Sequence, residues 1–117
     1  MRVTSDLWVS ALIKRIFSDG GFAAIRRRGA HSAGAIFVIR RTRLGEFELY
    51  GPAPQTSYDE ERPSERRFDL VLATMDEAEI EKRLTAESRF DPDLWVVEIE
   101  TSGEISAYLS TTDGSAA

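Results

Sequence analysis

The sequence predicts an α+β domain: a two-layer, mainly antiparallel sheet of five to six strands with two helices, in the order α-β-β-β-β-α-β-β. Three observations predict it. Apolar residues recur at helical spacing in an opening segment and again around Ile80 and Leu84. Ala35-Ile36-Phe37-Val38-Ile39 is a continuous apolar run, the pattern of a central strand covered on both faces. Phe47 and Leu49, and later Phe68, Leu70 and Leu72, alternate with polar or smaller neighbours as half-buried strands do.

The first helix is expected over Ser5–Ser18. Leu7, Trp8, Ala11, Leu12 and Ile16, with Val9, Ile13 and Phe17, make a broad apolar face, and Ser10, Lys14 and Ser18 a polar stripe. Ser5 or Asp6 can cap it, and Gly20-Gly21 stop it. A strand from Phe22 to Arg28 follows, then a loop over residues 29–34, then the central strand, pairing back as a hairpin. Arg43-Leu44-Gly45 turns the chain into the strand of Phe47 and Leu49.

Residues 51–65 hold Gly51, Pro52, Pro54 and Pro63 among charges, a long loop for so small a domain. After the strand of Phe68–Leu72, Thr74-Met75-Asp76-Glu77 fits a capping box. The helix it opens runs to about Arg89 with a thin apolar stripe, so it should touch the sheet along one narrow edge. Both helices are expected on one face, the first as the main cover. Asp91-Pro92-Asp93 breaks the second helix. Trp95, Val97 and Ile99 then face one way and Leu94 and Val96 the other. Ser102-Gly103 suits a hairpin turn into a last strand, Glu104–Leu109. Residues 1–109 read as one domain and 110–117 as a disordered tail. The aromatics Trp8, Trp95, Phe37, Phe47, Phe68 and Phe90 are assigned to the core.

A chain of 117 residues can bury a core without staples, and it contains no cysteine. Disulfides, thiolate metal sites and cysteine nucleophiles are thereby excluded. The N-terminal apolar stretch is broken by Lys14 and Arg15, too soon for a signal core or a membrane span, which points to the cytoplasm. The net charge of −5 is unevenly placed: nine bases against two acids through residue 44, six bases against eighteen acids beyond it. The plainer consequence is that the two halves lie together and neutralise.

Motifs that carry chemistry are few. Ala30-His31-Ser32-Ala33-Gly34 has the outline of a nucleophile elbow, but a strand rather than a helix follows it. His31, the single histidine, adjoins Ser32 and is badly placed as its base. Asp91 and Asp93, with Glu98, could offer oxygens to a hard cation; a helix-ending turn accounts for them better, since no calcium-loop spacing is present. No glycine-rich phosphate motif occurs, so no cofactor and no metal are expected.

In order, Ser5-Asp6-Leu7-Trp8-Val9-Ser10-Ala11-Leu12, Gly20-Gly21-Phe22-Ala23-Ala24, Ala33-Gly34-Ala35, Tyr50-Gly51-Pro52-Ala53-Pro54-Gln55 and Phe90-Asp91-Pro92-Asp93-Leu94-Trp95-Val96-Val97-Glu98 resemble a family of short bacterial proteins, domain of unknown function 1491. The likeness runs to about Glu100. It implies a stand-alone bacterial domain and carries over no catalytic residue.

Three functional expectations follow. The leading one is a non-catalytic binding or adaptor module, engaging a protein partner or itself through the long loop or a sheet edge. Tyr50, Gln55 and Tyr58 flank or occupy that loop and are its candidate contacts. The second is a small-molecule binder or small enzyme, with a site between the 51–65 loop and the Asp91–Trp95 turn and with Tyr58, Arg62, Asp91 and Asp93 as its candidates. The third is nucleic-acid binding through Arg26, Arg27, Arg28, Arg40, Arg41 and Arg43. No membrane contact is expected.

Overall fold

In a computed structural model of the chain, residues 3–54 and 66–111 are described. The opening helix α1 spans Ser5–Ser18, as its periodicity predicts. Its cap is Thr4, whose hydroxyl accepts from the Leu7 amide at 3.2 Å. Ser5 and Asp6, the expected caps, are used elsewhere. The Ser5 hydroxyl donates to Gly34 O at 2.7 Å, and the Asp6 amide to His31 O at 3.0 Å. Gly20 leaves the helix with φ +86°, a left-handed conformation that a side chain would disfavour.

Strands β1 (Phe22–Arg27), β2 (Ile36–Arg41), β3 (Phe47–Pro52) and β4 (Arg67–Thr74) come next. Helix α2 follows over Glu77–Phe90, and then β5 (Trp95–Glu100), a 3₁₀ turn at Ile105–Ala107 and the short β6 (Ser110–Thr111). The α2 cap is Asp76, whose carboxylate accepts from the Ala78 amide at 3.0 Å. The helix cap therefore lies two residues later than the Thr74 reading. Thr74 instead receives the Asp76 amide and bonds Glu79.

The six described strands form one sheet in the order β1-β5-β2-β3-β4-β6. Pairing is antiparallel except for β2 with β5 and β4 with β6. β1 and β2 do not form the expected hairpin, because β5 lies between them. The expected hairpin after Ser102-Gly103 is absent for the same reason. Both edges of β5 are taken, so the chain turns through the 3₁₀ segment and joins the far side of β4. Residues 112–117 of the expected tail lie outside the described residues.

β2 is interior, and Ile36, Phe37, Val38 and Ile39 are all buried. Ile36 and Val38 pack under α1 with Val9, Leu12, Ile16, Trp95, Val97, Ile99 and Phe68. Phe37 and Ile39 pack on the reverse face under Ile80 and Leu84 of α2, with Phe47, Leu49, Leu94 and Val96. The helices thus cover opposite faces, a correction to the one-face, two-layer arrangement. The reason is elementary: alternate residues of β2 point to opposite sides, and both sets are apolar. Only Ile80 and Leu84 of α2 are buried, the narrow contact its sequence predicts. Phe90 is a second correction, since its side chain is 90% exposed at the end of α2. Among the described residues, no helix is long and apolar enough to cross a membrane.

Candidate functional site

One end of the sheet is organised by the turn that follows α2. Asp91 spends both carboxylate oxygens on backbone amides: Oδ1 accepts from Asp93 at 2.9 Å and Oδ2 from Ala35 at 3.2 Å. The Asp93 carbonyl accepts from the Ala30 amide at 2.9 Å, and the Trp95 amide donates to Ala35 O at 2.7 Å. The Trp95 indole N–H donates to Ala30 O at 2.8 Å. Loop 29–35 and turn 91–95 are therefore laced together through backbone. Two glycines permit the approach. A Cβ on Gly29 or Gly34 would sit 2.1 or 2.0 Å from the Asp93 carbonyl oxygen. The Phe90–Glu98 run so conspicuous in the sequence is thus a helix stop, a docking turn and a central strand in succession.

Beside this turn two hollows adjoin, sharing Ala35, Pro52 and Asp91. The smaller, about 250 Å³, lies between Ala33–Ile36 and the 66–68 segment, with Pro52 and Ala53 alongside. The larger, about 420 Å³, runs along Phe37, Gly51, Pro54 and Val71 to Arg83, Glu87 and Phe90. The cleft lies where the second sequence expectation places a site, between the stem of the 51–65 loop and the Asp91 turn.

The expected contact residues fare differently. Asp91 lines both hollows, and Asp93 is exposed on the same turn. Tyr50 is buried under α1, and its hydroxyl donates to Glu48 at 3.0 Å. Gln55, Tyr58 and Arg62 lie outside the described residues. Arg66, Arg67 and Phe90 are not among the contact residues expected from the sequence, which assigns Phe90 to the core. A signal was available, because β3 and β4 pair antiparallel. The two stems of the proline-bearing loop, Pro52–Pro54 and Arg66–Phe68, must then border the same space.

The arginine clusters are bound up with the protein's own acids and carbonyls. Arg26 reaches Glu77, Glu81 and Glu98, the contacts to Glu77 and Glu98 measuring 3.4 and 3.0 Å. Burial works against its charge, but the carboxylates of Glu81, Glu98 and Glu77 outweigh it and hold its pKa above the ordinary arginine value. Arg41 shares Glu77 and Glu98 at 4.0 and 3.9 Å. Arg40 faces Glu48 at 3.6 Å and donates to Gly103 O. Arg27 donates to Pro92 O, and Arg28 lies 3.5 Å from Asp6. Arg43 is exposed. The basic first half and acidic second half thus neutralise at Arg26, Arg40 and Arg41, with Arg26 and Arg41 tying α2 to the sheet. His31 faces Asp6 at 3.3 Å in the 31–33 turn. Among the described residues, no group of three or more histidines, cysteines and acids could hold a metal ion.

Comparison with known proteins agrees with this architecture. No curated protein matches the chain significantly. The solution structure of protein Atu0922 from A. tumefaciens is similar, with 51% identity, 96% of each chain covered and a TM-score of 0.82. A crystal structure of a DUF1491 family protein from Caulobacter crescentus CB15 is 33% identical, covering 84% of this chain and 87% of that one, with a TM-score of 0.70. An NMR structure of a DUF1491 family protein from the same organism is 30% identical over 95% and 97% of the chains, with a TM-score of 0.76. The family model described as "Protein of unknown function (DUF1491)" matches residues 3–109, and with the signature turn seated as described, the chain belongs to that family.

Proposed function

We propose that the chain is a non-catalytic binding module that engages a protein partner through the cleft beside Asp91. The observation that carries this reading is the juxtaposition of a preformed hollow with Phe90, 90% exposed at its rim. Aromatic side chains next to a hollow that can be emptied of water are the usual anchors of protein contacts. Binding is favoured over catalysis by the cleft's described lining, which holds neither histidine nor serine nor threonine. Its central acid, Asp91, has both oxygens engaged by amides. Nucleic-acid binding is disfavoured by the internal pairing of Arg26, Arg28, Arg40 and Arg41.

The test is quantitative capture from a bacterial lysate with the wild-type chain, Phe90→Ser and Phe17→Ser. Phe17 is about half exposed on α1 and serves as the control. A partner retained by wild type and Phe17→Ser, and reduced about tenfold by Phe90→Ser, supports the reading. Identical recovery with all three chains refutes it. A cytoplasmic setting is part of the same proposal, and fractionation of cells expressing the chain checks it.

A further inference from the structure

The end of the sheet away from the Asp91 turn carries a hollow of its own. β2 and β5 run parallel and both finish there, at Arg41 and Glu100. The hollow, about 340 Å³, lies between the chain segments 20–22, 41–43 and 100–102. Strand register says which side chains share a face. Phe22 pairs with Glu100 across β1 and β5, and Arg41 continues the row on β2. The adjoining Ala23 and Ile99 pack under α1, so this row projects on the α2 face. Arg41 is drawn inward, over the Phe47 ring at 5.0 Å and toward Glu77 and Glu98. Glu100 is left opposite Phe22, whose ring is half exposed. On the other wall, Arg43 departs from its neighbours. Arg26, Arg28, Arg40 and Arg41 each meet a carboxylate. Among the described residues, neither the Arg43 guanidinium nor the Glu100 carboxylate has a hydrogen-bond or ion-pair partner, and they do not meet each other. The turn that carries Arg43 is fixed by backbone: the Thr42 amide donates to Glu46 O at 2.8 Å and the Gly45 amide to Thr42 O at 3.0 Å. Thr42 Oγ1 accepts from the Glu46 amide at 3.1 Å, which leaves its own proton to donate.

We propose that this hollow binds a small zwitterion, a free amino acid or a dipeptide, with the ligand carboxylate held by Arg43 and the Thr42 hydroxyl and its ammonium held by Glu100 and the ring of Phe22. A guanidinium presents a planar fork of donors that matches the two oxygens of a carboxylate. An ammonium is attracted both by a carboxylate and by the face of an aromatic ring. A simple anion would be set against Glu100, and a simple cation against Arg43; a ligand that carries both signs satisfies both walls. A space of about 340 Å³ stands at the small end of the range for ligand sites. The site shares no lining residue with the cleft and stands independently of the partner reading above.

The test titrates ¹⁵N-labelled full chain, in mildly acidic buffer, with L-leucine, glycyl-L-leucine, N-acetyl-L-leucine and L-leucinamide at millimolar concentration. The expected result is amide shifts at Phe22, Thr42, Arg43 and Thr101 with leucine or glycyl-leucine. N-acetyl-leucine lacks the ammonium and leucinamide the carboxylate, and each should bind about tenfold more weakly than the better zwitterion, the scale of one charge-assisted contact. Glu100→Gln should erase the discrimination against N-acetyl-leucine, and Arg43→Gln that against leucinamide. Arg89→Gln, exposed near the end of α2, should preserve both. Tighter binding of leucine supports a free amino acid as the source, and tighter binding of glycyl-leucine a dipeptide. N-acetyl-leucine binding as well as the zwitterions overturns the proposal in favour of an anion site, and leucinamide binding as well overturns it in favour of a cation site. No shift at these amides with any probe overturns the site itself. The four probes on the wild-type chain decide between these outcomes without the variants.

Discussion

Replacing Asp91 by alanine removes two acceptors at once, and the cost can be worked from the turn itself. The Oδ2 contact to the Ala35 amide is partly buried, so its loss strands a donor at the entrance to the central strand. The Oδ1 contact to the Asp93 amide is exposed, and water can replace it. A hydrogen bond to an ionised acceptor contributes roughly 1.5–3 kcal/mol when sheltered and less when wet. Asp91→Ala is therefore expected to cost about 2–4 kcal/mol. At about 4 °C per kcal/mol for a domain of this size, the midpoint of thermal unfolding should fall by roughly 8–16 °C. Asp91→Asn keeps one carbonyl oxygen and the side-chain volume, and should lose about half as much. Urea unfolding followed by tryptophan fluorescence reads both, because Trp95 is buried next to the turn. If Asp91→Ala unfolds within about 0.5 kcal/mol of wild type, the carboxylate is not what seats the turn, and the account of the signature run is wrong.

Three further outcomes are expected. Gly34→Ala places a Cβ 2.0 Å from the Asp93 carbonyl oxygen and should destabilise by at least about 2 kcal/mol in the same urea assay, since backbone must move on both sides. Arg26→Ala gives up contacts to three partly exposed carboxylates; about 1 kcal/mol is expected at low salt, shrinking toward zero at 0.5 M sodium chloride. Because the folded-state pKa of Arg26 is raised, its stabilisation is fully present below the unfolded arginine pKa, in strongly alkaline solution, and is lost only as pH climbs through the folded value. The stability difference between wild type and Arg26→Ala should therefore not change from pH 7 to pH 9, where a slope would implicate another group. Phe90→Ser should leave the unfolding midpoint unchanged within about 0.5 kcal/mol, because the ring is nine-tenths exposed in the native chain.

Local chemistry was readable where a residue's neighbours in sequence are also its neighbours in space. The α1 limits, the thin contact of α2 and the role of Asp91 as a turn acceptor all follow from spacing and capping. The strand order did not, because the pairing of Phe22 with Glu100 spans about two thirds of the chain and leaves no local mark. One clue was present. Leu94–Val97 is apolar on both faces just as Ile36–Ile39 is, and two such strands belong side by side at the centre of a sheet. The same pattern demands cover on each side of the sheet, which is why one helix goes to each face. Phe90 was misassigned because hydrophobicity alone does not bury a residue at a helix end, where the chain is already turning away. At the cleft, Asp91 was legible from the turn it closes, whereas Arg66 and Arg67 become site residues only once the two stems of the proline-bearing loop are known to be adjacent.

The central position of β5 has a consequence for how the protein comes into being. β1 and β2 are made early, yet the strand that joins them is residues 95–100. A nascent chain ending after β3 can form the β2–β3 ladder and α1 but has nothing to bridge β1 to them. Contacts of such long sequence separation slow folding, because the loop between them must close before any pairing rewards it. The sheet is therefore expected to knit together only after residues 95–100 have left the ribosome, with the earlier strands supplying parts and β5 supplying the keystone.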